Sequence, residues 1–223
     1  MGDEFDPSRA AAASAIRNPW LDIPLGDYEA HMALAAISQA EMLAGQFETA
    51  LAAYAPRSVA VIGCAGGNGF ERVLATRTVR LVGIDINPDY LAEASRRFAG
   101  RIPGLELYNA DIQQPLPPIE PVDLVYAGLV FEYVDLAASI AAIRSLCVPN
   151  GAFVSIVQLP SESMGVVSPS PFASLRKLAP AMKLVSPREL RSVAERAGFV
   201  LRCEEIISLR SGKEFTAQAF QAV

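Results

Sequence analysis

The sequence predicts an α/β protein of the doubly wound type. Three observations carry this. Short apolar runs alternate with helical patterns from residue 58 onward, a glycine-rich turn follows the first run, and the chain closes on two strands joined by a short turn. Alternating strand and helix gives a parallel sheet with right-handed crossovers. A strand pair with so short a link is antiparallel. The 223 residues, 52% of them hydrophobic, suit one large domain or two small ones with a substantial core.

The elements follow in order. Residues 1–18 are polar, then alanine-rich, and are expected to be poorly ordered. PWLDIPLG at 19–26 reads as extended and proline-punctuated. From Asp27 to Tyr54 apolar residues recur near helical spacing; Asp27 is placed to cap the helix and Gly45 to bend or split it. Strands are expected over 58–63, 80–84, 105–109, 122–127 and 152–159, and helices over 68–76, 88–99, 136–147 and 187–197. The strands are apolar along most of their length, as suits a sheet covered on both faces. The tail adds strands 200–208 and 214–223. The division is an N-terminal arm and cap helix over 1–54 and a main domain over 55–223.

Charge and composition exclude several classes. The net charge is -5, which supplies no positive field for a nucleic-acid backbone. No apolar run is long enough to span a membrane, and the acidic start (Asp3, Glu4, Asp6) is unlike a secretory leader. The three cysteines are far apart and form no CxxC pair, so neither a metal site nor a disulfide framework is expected. A cytoplasmic protein, monomer or homodimer, is the plain reading.

VAVIGCAGGNGFE at 59–71 puts Gly63, Gly66, Gly67 and Gly69 between the first strand and the next helical pattern. Such a turn lets a ligand approach the backbone, and a helix N-terminus behind it attracts an anionic group. The P-loop lysine is missing, since Phe70 and Glu71 follow Gly69, and the dinucleotide spacing GxGxxG is broken at Ala65 and Asn68. Asp85 ends the second strand, where a carboxylate accepts ribose hydroxyls or caps a helix. Asp111 follows the third strand. It is placed to accept the exocyclic amine of an adenine, with the Ile112 N–H at a ring nitrogen, or to be a turn aspartate.

With these motifs in hand, the chain resembles the class I S-adenosylmethionine-dependent methyltransferases. GCAGG at 63–67 is similar to the family's GxGxG, and Asp85 and the Ala110–Asp111–Ile112 step stand where its second and third motifs do. VDLVYAGLVFEYV at 122–134, IRSLCVPNGAFV at 143–154 and VSPRELRSVAERAGF at 185–199 are similar to its later motifs, with Asn150 at a family glycine. The likeness covers residues 55–223 and implies a Rossmann-like, seven-stranded sheet with the last strand antiparallel.

The resemblance also implies S-adenosylmethionine as cofactor and a small-molecule methyl acceptor, methylated at oxygen or nitrogen. It implies cofactor contacts from Gly63, Cys64, Ala65, Gly67, Asn68, Asp85, Ile86, Asp111, Ile112, Ala127, Gly128 and Leu129. Val61 stands where the family usually has an acidic residue, so other groups must anchor the loop.

For catalysis the candidates are His31, as a base, and Tyr28, as a cofactor lid; both lie in the arm with Trp20. A lone histidine on a helix is often structural, and Trp20 is either packing or a stacking surface. Glu132 faces the cofactor loop, the substrate or the core edge. Cys64 is a small packing residue rather than a nucleophile. The loop 160–171 is a lid or a plain connector, and Arg176, Lys177 and Lys183 make a solvated face. Two rivals stand beside methyl transfer: an NAD-dependent oxidoreductase on a related fold, and a non-catalytic S-adenosylmethionine-binding protein.

Overall fold

The computed structural model describes residues 18–161 and 168–223. The expected disorder over the first 17 residues, and the middle of the 160–171 loop, fall outside the described residues.

Seven strands form one sheet: β1 (Ser58–Ile62), β2 (Arg80–Asp85), β3 (Leu105–Asn109), β4 (Val122–Gly128), β5 (Cys147–Gln158), β6 (Phe199–Ser208) and β7 (Glu214–Ala222). Their order is β3-β2-β1-β4-β5-β7-β6. The first five run parallel, while β7 is antiparallel to both β5 and β6. The apolar runs of β1 and β4 are buried because helices cover both faces. On one face lie α2 (Gln39–Tyr54) and α3 (Pro88–Phe98), which bring Phe47, Leu51, Leu91 and Phe98 to the core. On the other lie α4 (Leu136–Leu146) and α5 (Pro187–Arg196), which bring Ile140, Ile143, Leu190 and Ala194.

Local chemistry sets the element ends. Asn87 and Ser186 cap α3 and α5, each with a proline at the start of the helix, and Asp135 caps α4 through the Ala138 N–H at 2.8 Å. Asp123 Oδ2 accepts from the N–H groups of Arg57 and Ser58, which ties the start of β1 to β4. At Asn150 the backbone is left-handed (φ 63°), which asparagine tolerates better than most residues. The asparagine therefore keeps the turn geometry that a glycine would give.

Several expectations are corrected. The long N-terminal helix is two, α1 (Leu25–Ala33) and α2, and the break is at Leu34–Ser38, where Ser38 turns left-handed (φ 53°). Gly45 lies unbroken inside α2, and the residue before α1 is Pro24, without a side-chain cap. Asp27 instead accepts from the Ser174 hydroxyl at 2.5 Å. Residues Pro19–Asp22 are a 3₁₀ turn rather than extended chain, because Asn18 Oδ1 accepts from the Trp20 N–H. The expected helix over 68–76 is only a 3₁₀ turn, Phe70–Ala75. β5 begins five residues early, at Cys147, with a register shift against β4 between Val122 and Leu124.

Phe153 centres the α4–α5 face. It is fully buried, stacked on Phe220 at 5.4 Å, and in ring contact with Phe131 and Phe199. Phe153→Ala is expected to lower stability by about 3–5 kcal/mol in urea unfolding.

Candidate active site

The order of the sheet reverses between β1 and β4, and a crevice opens there outside the carboxyl ends of the strands. A cavity fills it. Its wall takes Ile62 and Gly63 from the end of β1, Ile84–Ile86 from β2, Ala110–Ile112 after β3 and Gly128–Val130 after β4. Asn18, Trp20 and Tyr28 of the arm close it, with Tyr90, Tyr133 and Val134.

Asp85 organises this crevice. Its Oδ2 accepts from the Ala65 N–H at 2.8 Å and its Oδ1 from the Asn87 N–H at 2.9 Å. Burial raises its pKa, and the backbone donors oppose that rise. The residue lines the cavity, where a lone pair left by the backbone donors can accept from a hydroxyl. Asn87 continues outward, donating from Nδ2 to the Trp20 carbonyl at 2.9 Å. Tyr90 donates to the Ile23 carbonyl at 2.9 Å, so β2 and α3 hold the arm over the crevice. Asp111 Oδ1 accepts from the N–H and Nε2 of Gln113, which fixes the carboxylate at the cavity wall.

The glycine loop is bare largely for internal reasons. A Cβ on Gly66 would sit 2.5 Å from Glu29 Oε1 and 2.9 Å from Arg97 Nη1. The Glu29–Arg97 ion pair, 2.6 Å long and joining α1 to α3, rests on that loop, and Arg97 Nη1 also donates to the Gly66 carbonyl at 3.3 Å. The loop is thus anchored by Asp85 and Arg97, while Val61 sits buried in the core. Ala65 (φ 47°) and Leu129 (φ 57°) hold left-handed backbone at the cavity, conformations that surrounding contacts must enforce.

Eight of the twelve expected cofactor contacts line the cavity: Gly63, Ala65, Asp85, Ile86, Asp111, Ile112, Gly128 and Leu129. Four do not. Cys64 is buried in the core beneath Gly83. Gly67 packs on the Phe98 ring, Asn68 turns outward to the Ala40 carbonyl at 3.0 Å, and Ala127 is fully buried.

A second cavity adjoins the first. Trp20, Tyr28, Leu129 and Tyr133 line both and form the partition. Trp20 stands edge-on to Tyr28 (5.3 Å) and Tyr133 (5.0 Å). His31 lies in this second cavity and not in the first, so the two catalytic candidates are divided: Tyr28 at the partition, His31 beyond it. Burial and the charge of Lys213 lower the His31 pKa.

The second cavity also holds residues that no sequence motif marked. Lys213 comes from the turn before β7 and donates to Gln158 Oε1 at 3.1 Å. Gln158 ends β5, and its N–H donates to Glu132 Oε1 at 2.8 Å. Ser168 and Gln39 complete the polar lining. The only advance signal was local: polar residues ending otherwise apolar strands.

Glu132 is 1% exposed, and burial pushes its pKa up from 4.5 to about 7, against the opposing backbone donors. The unfolded chain therefore releases this proton first, and the stability that the protonated form provides is lost as pH rises from 4.5 to about 7. Glu132→Gln is expected to remove about 3 kcal/mol of that pH dependence, read as the difference between wild-type and variant denaturant curves across this window.

Residues 61–153 match the family model described as a methyltransferase domain. A trans-aconitate 2-methyltransferase from Methylobacterium nodulans is 36% identical over 109 residues, 48% of this chain and 39% of that protein. The same-named protein of Acidovorax sp. is 31% identical over 107 residues, with the same shares, 48% and 39%. The match thus spans about two-fifths of the length of these relatives. Among solved structures, the N-methyltransferase NodS from Bradyrhizobium japonicum, in complex with S-adenosylhomocysteine, is similar at TM-score 0.62 and 18% identity, over 82% of this chain and 87% of that one. The cyclase SpnF is similar at TM-score 0.63 and 13% identity, over 79% and 80%. Such distant likenesses show the fold, and NodS and SpnF differ in chemistry on that fold. The domain match over residues 61–153, the sheet order and the crevice at its switch point make the chain similar to the S-adenosylmethionine-dependent methyltransferases in fold.

Proposed function

We propose that the chain transfers a methyl group from S-adenosylmethionine to a small molecule. One observation carries this reading: two cavities share a thin partition, and the first has the carboxylates that a nucleoside requires. Asp85 suits the ribose and Asp111 with Ile112 the adenine, while Gly63, Ala65 and Gly128–Val130 line the end for the amino-acid portion. The bound cofactor would supply an electrophilic methyl on a sulfonium. The protein's part is to align the reactants and exclude water. Trp20, Tyr28, Leu129 and Tyr133 stand where the two cavities meet, and their apolar and aromatic surfaces suit a cation.

The activities for which these relatives are named, a trans-aconitate 2-methyltransferase and an N-methyltransferase, support a small acceptor at oxygen or nitrogen. The net charge of -5 supports the same reading over nucleic acid. Free thiols at Cys64, Cys147 and Cys203 suit a cytoplasmic setting, and no helix among the described residues is long and apolar enough to cross a membrane. The described part of the arm, residues 18–54, serves as the cap of the domain over 55–223.

Calorimetric titration with S-adenosylhomocysteine tests this reading. Binding at micromolar strength is expected, with Asp85→Asn weakening it at least tenfold, since an amide cannot accept from all the donors that Asp85 serves. An absence of binding by the folded protein would refute the assignment. Turnover assays with acceptors then separate an enzyme from a protein that only holds the cofactor.

A further inference from the structure

Glu132 is 1% exposed, yet its Oε2 has no hydrogen-bond partner among the described residues. The other oxygen is fixed: Oε1 accepts the Gln158 N–H, at the end of β5, at 2.8 Å. The backbone is fixed as well. Glu132 lies in the 3₁₀ turn Phe131–Tyr133 that follows β4, and its carbonyl accepts from the Lys183 N–H at 2.8 Å. Phe131 before it is buried against Phe153, and Tyr133 after it stands in the partition between the cavities. The side chain is thus held from both sides, and it lines the second cavity with one oxygen unused.

A carboxyl kept only for structure would be paired at both oxygens, since an unsatisfied buried acceptor costs stability. Protonation does not resolve this, because a proton on Oε2 would then need an acceptor. The group lacks a donor that the described residues do not supply. Burial also brings its pKa to about 7, so it gains and loses a proton near neutral pH, as a general base requires. Among the described residues, the other titratable groups lining this space are Tyr28, His31, Tyr133 and Lys213. None suits the task as well. Burial raises both tyrosine hydroxyls, so neither is a phenolate at neutral pH. Burial, and then the charge of Lys213, lower the His31 pKa and weaken the imidazole as a base. Lys213 donates a proton to Gln158 Oε1.

We propose that Glu132 is the catalytic base of methyl transfer, taking on Oε2 the proton of an O–H or N–H acceptor seated in the second cavity. The inference rests on the methyltransferase reading for the other reactant. The acceptor's oxygen or nitrogen forms its bond to the methyl carbon and displaces the sulfur, which keeps the electron pair of the broken bond. The acceptor's proton passes to the carboxylate, leaving a methylated acceptor, a neutral thioether and a protonated Glu132. Tyr133 lines both cavities, so its chain neighbour stands one residue from where the reactants meet.

The test titrates phenol, and its methyl ether anisole, calorimetrically with and without saturating S-adenosylhomocysteine. Both suit the apolar lining of Met32, Leu175, Leu178 and Met182, and only phenol has an O–H to donate. Phenol is expected to bind about tenfold more tightly than anisole, as a hydrogen bond to a charged group gives. That ratio rises as pH passes up through about 7 and Glu132 ionises. Glu132→Gln keeps an oxygen for the Gln158 N–H and puts an amide N–H where Oε2 stood. Phenol and anisole both accept from an N–H, so the ratio falls to about one and no longer varies with pH. A wild-type ratio near one, no binding of phenol, or an unchanged ratio in Glu132→Gln overturns the proposal. A ratio lost in His31→Gln and kept in Glu132→Gln also overturns it, by giving the proton to the histidine. The wild-type ratio and its pH dependence decide the matter if the variants do not fold. Failure to bind S-adenosylhomocysteine sinks the methyltransferase reading and leaves the phenol-to-anisole comparison standing, so the two failures are distinguishable.

Discussion

The candidate site depends on one buried carboxylate. Asp85 ends β2, receives the N–H of Ala65 from the glycine loop, and receives the N–H of Asn87 at the start of α3. Asn87 in turn holds the arm by the Trp20 carbonyl. The loop, the helix start and the cap are thus linked through a single side chain that also faces the cavity. Burial works against its charge, and the backbone donors work for it. A residue that is both a structural clasp and a ligand contact cannot be replaced without disturbing both roles. This arrangement also accounts for Val61: the loop has its anchor on the neighbouring strand and on Arg97, so an apolar residue is tolerated in β1.

Much of this was legible in the sequence, for physical reasons. Strands buried on both faces announce themselves as apolar runs, so β1, β2, β4 and β5 stand out, and the short turn before Glu214 required an antiparallel partner. Asp85 and Asp111 stood out as carboxylates at the ends of strands, and both line the cavity. Features set by tertiary contact are not legible in this way. The break between α1 and α2 falls at Ser38 rather than Gly45, because Gly45 has open space around it and α2 continues through it. Cys64, Gly67 and Asn68 follow Gly63 closely, but the loop turns them into the core, onto Phe98 and out to Ala40. Lys213 and Gln158 were invisible as site residues, since only the pairing of β5 with β7 brings them together.

The glycine loop shows how a motif can mislead about its own cause. Its bareness invites a ligand explanation, and Gly63 does line the cavity. At Gly66, however, the space is claimed by Glu29, Arg97 and Leu25. The arm and the loop are therefore shaped to each other. A substitution there would act on the cap first and on any bound molecule second.

The shared partition has a thermodynamic consequence. Trp20 and Tyr28 belong to the arm and face both cavities, so a shift of the arm reshapes both at once. Whatever orders these rings from one side has already met part of the entropic cost for the other. Linkage then requires the effect to be reciprocal: occupancy of either cavity changes affinity at its neighbour by the same factor. The thin wall that brings two reactants together is also a channel of communication between them.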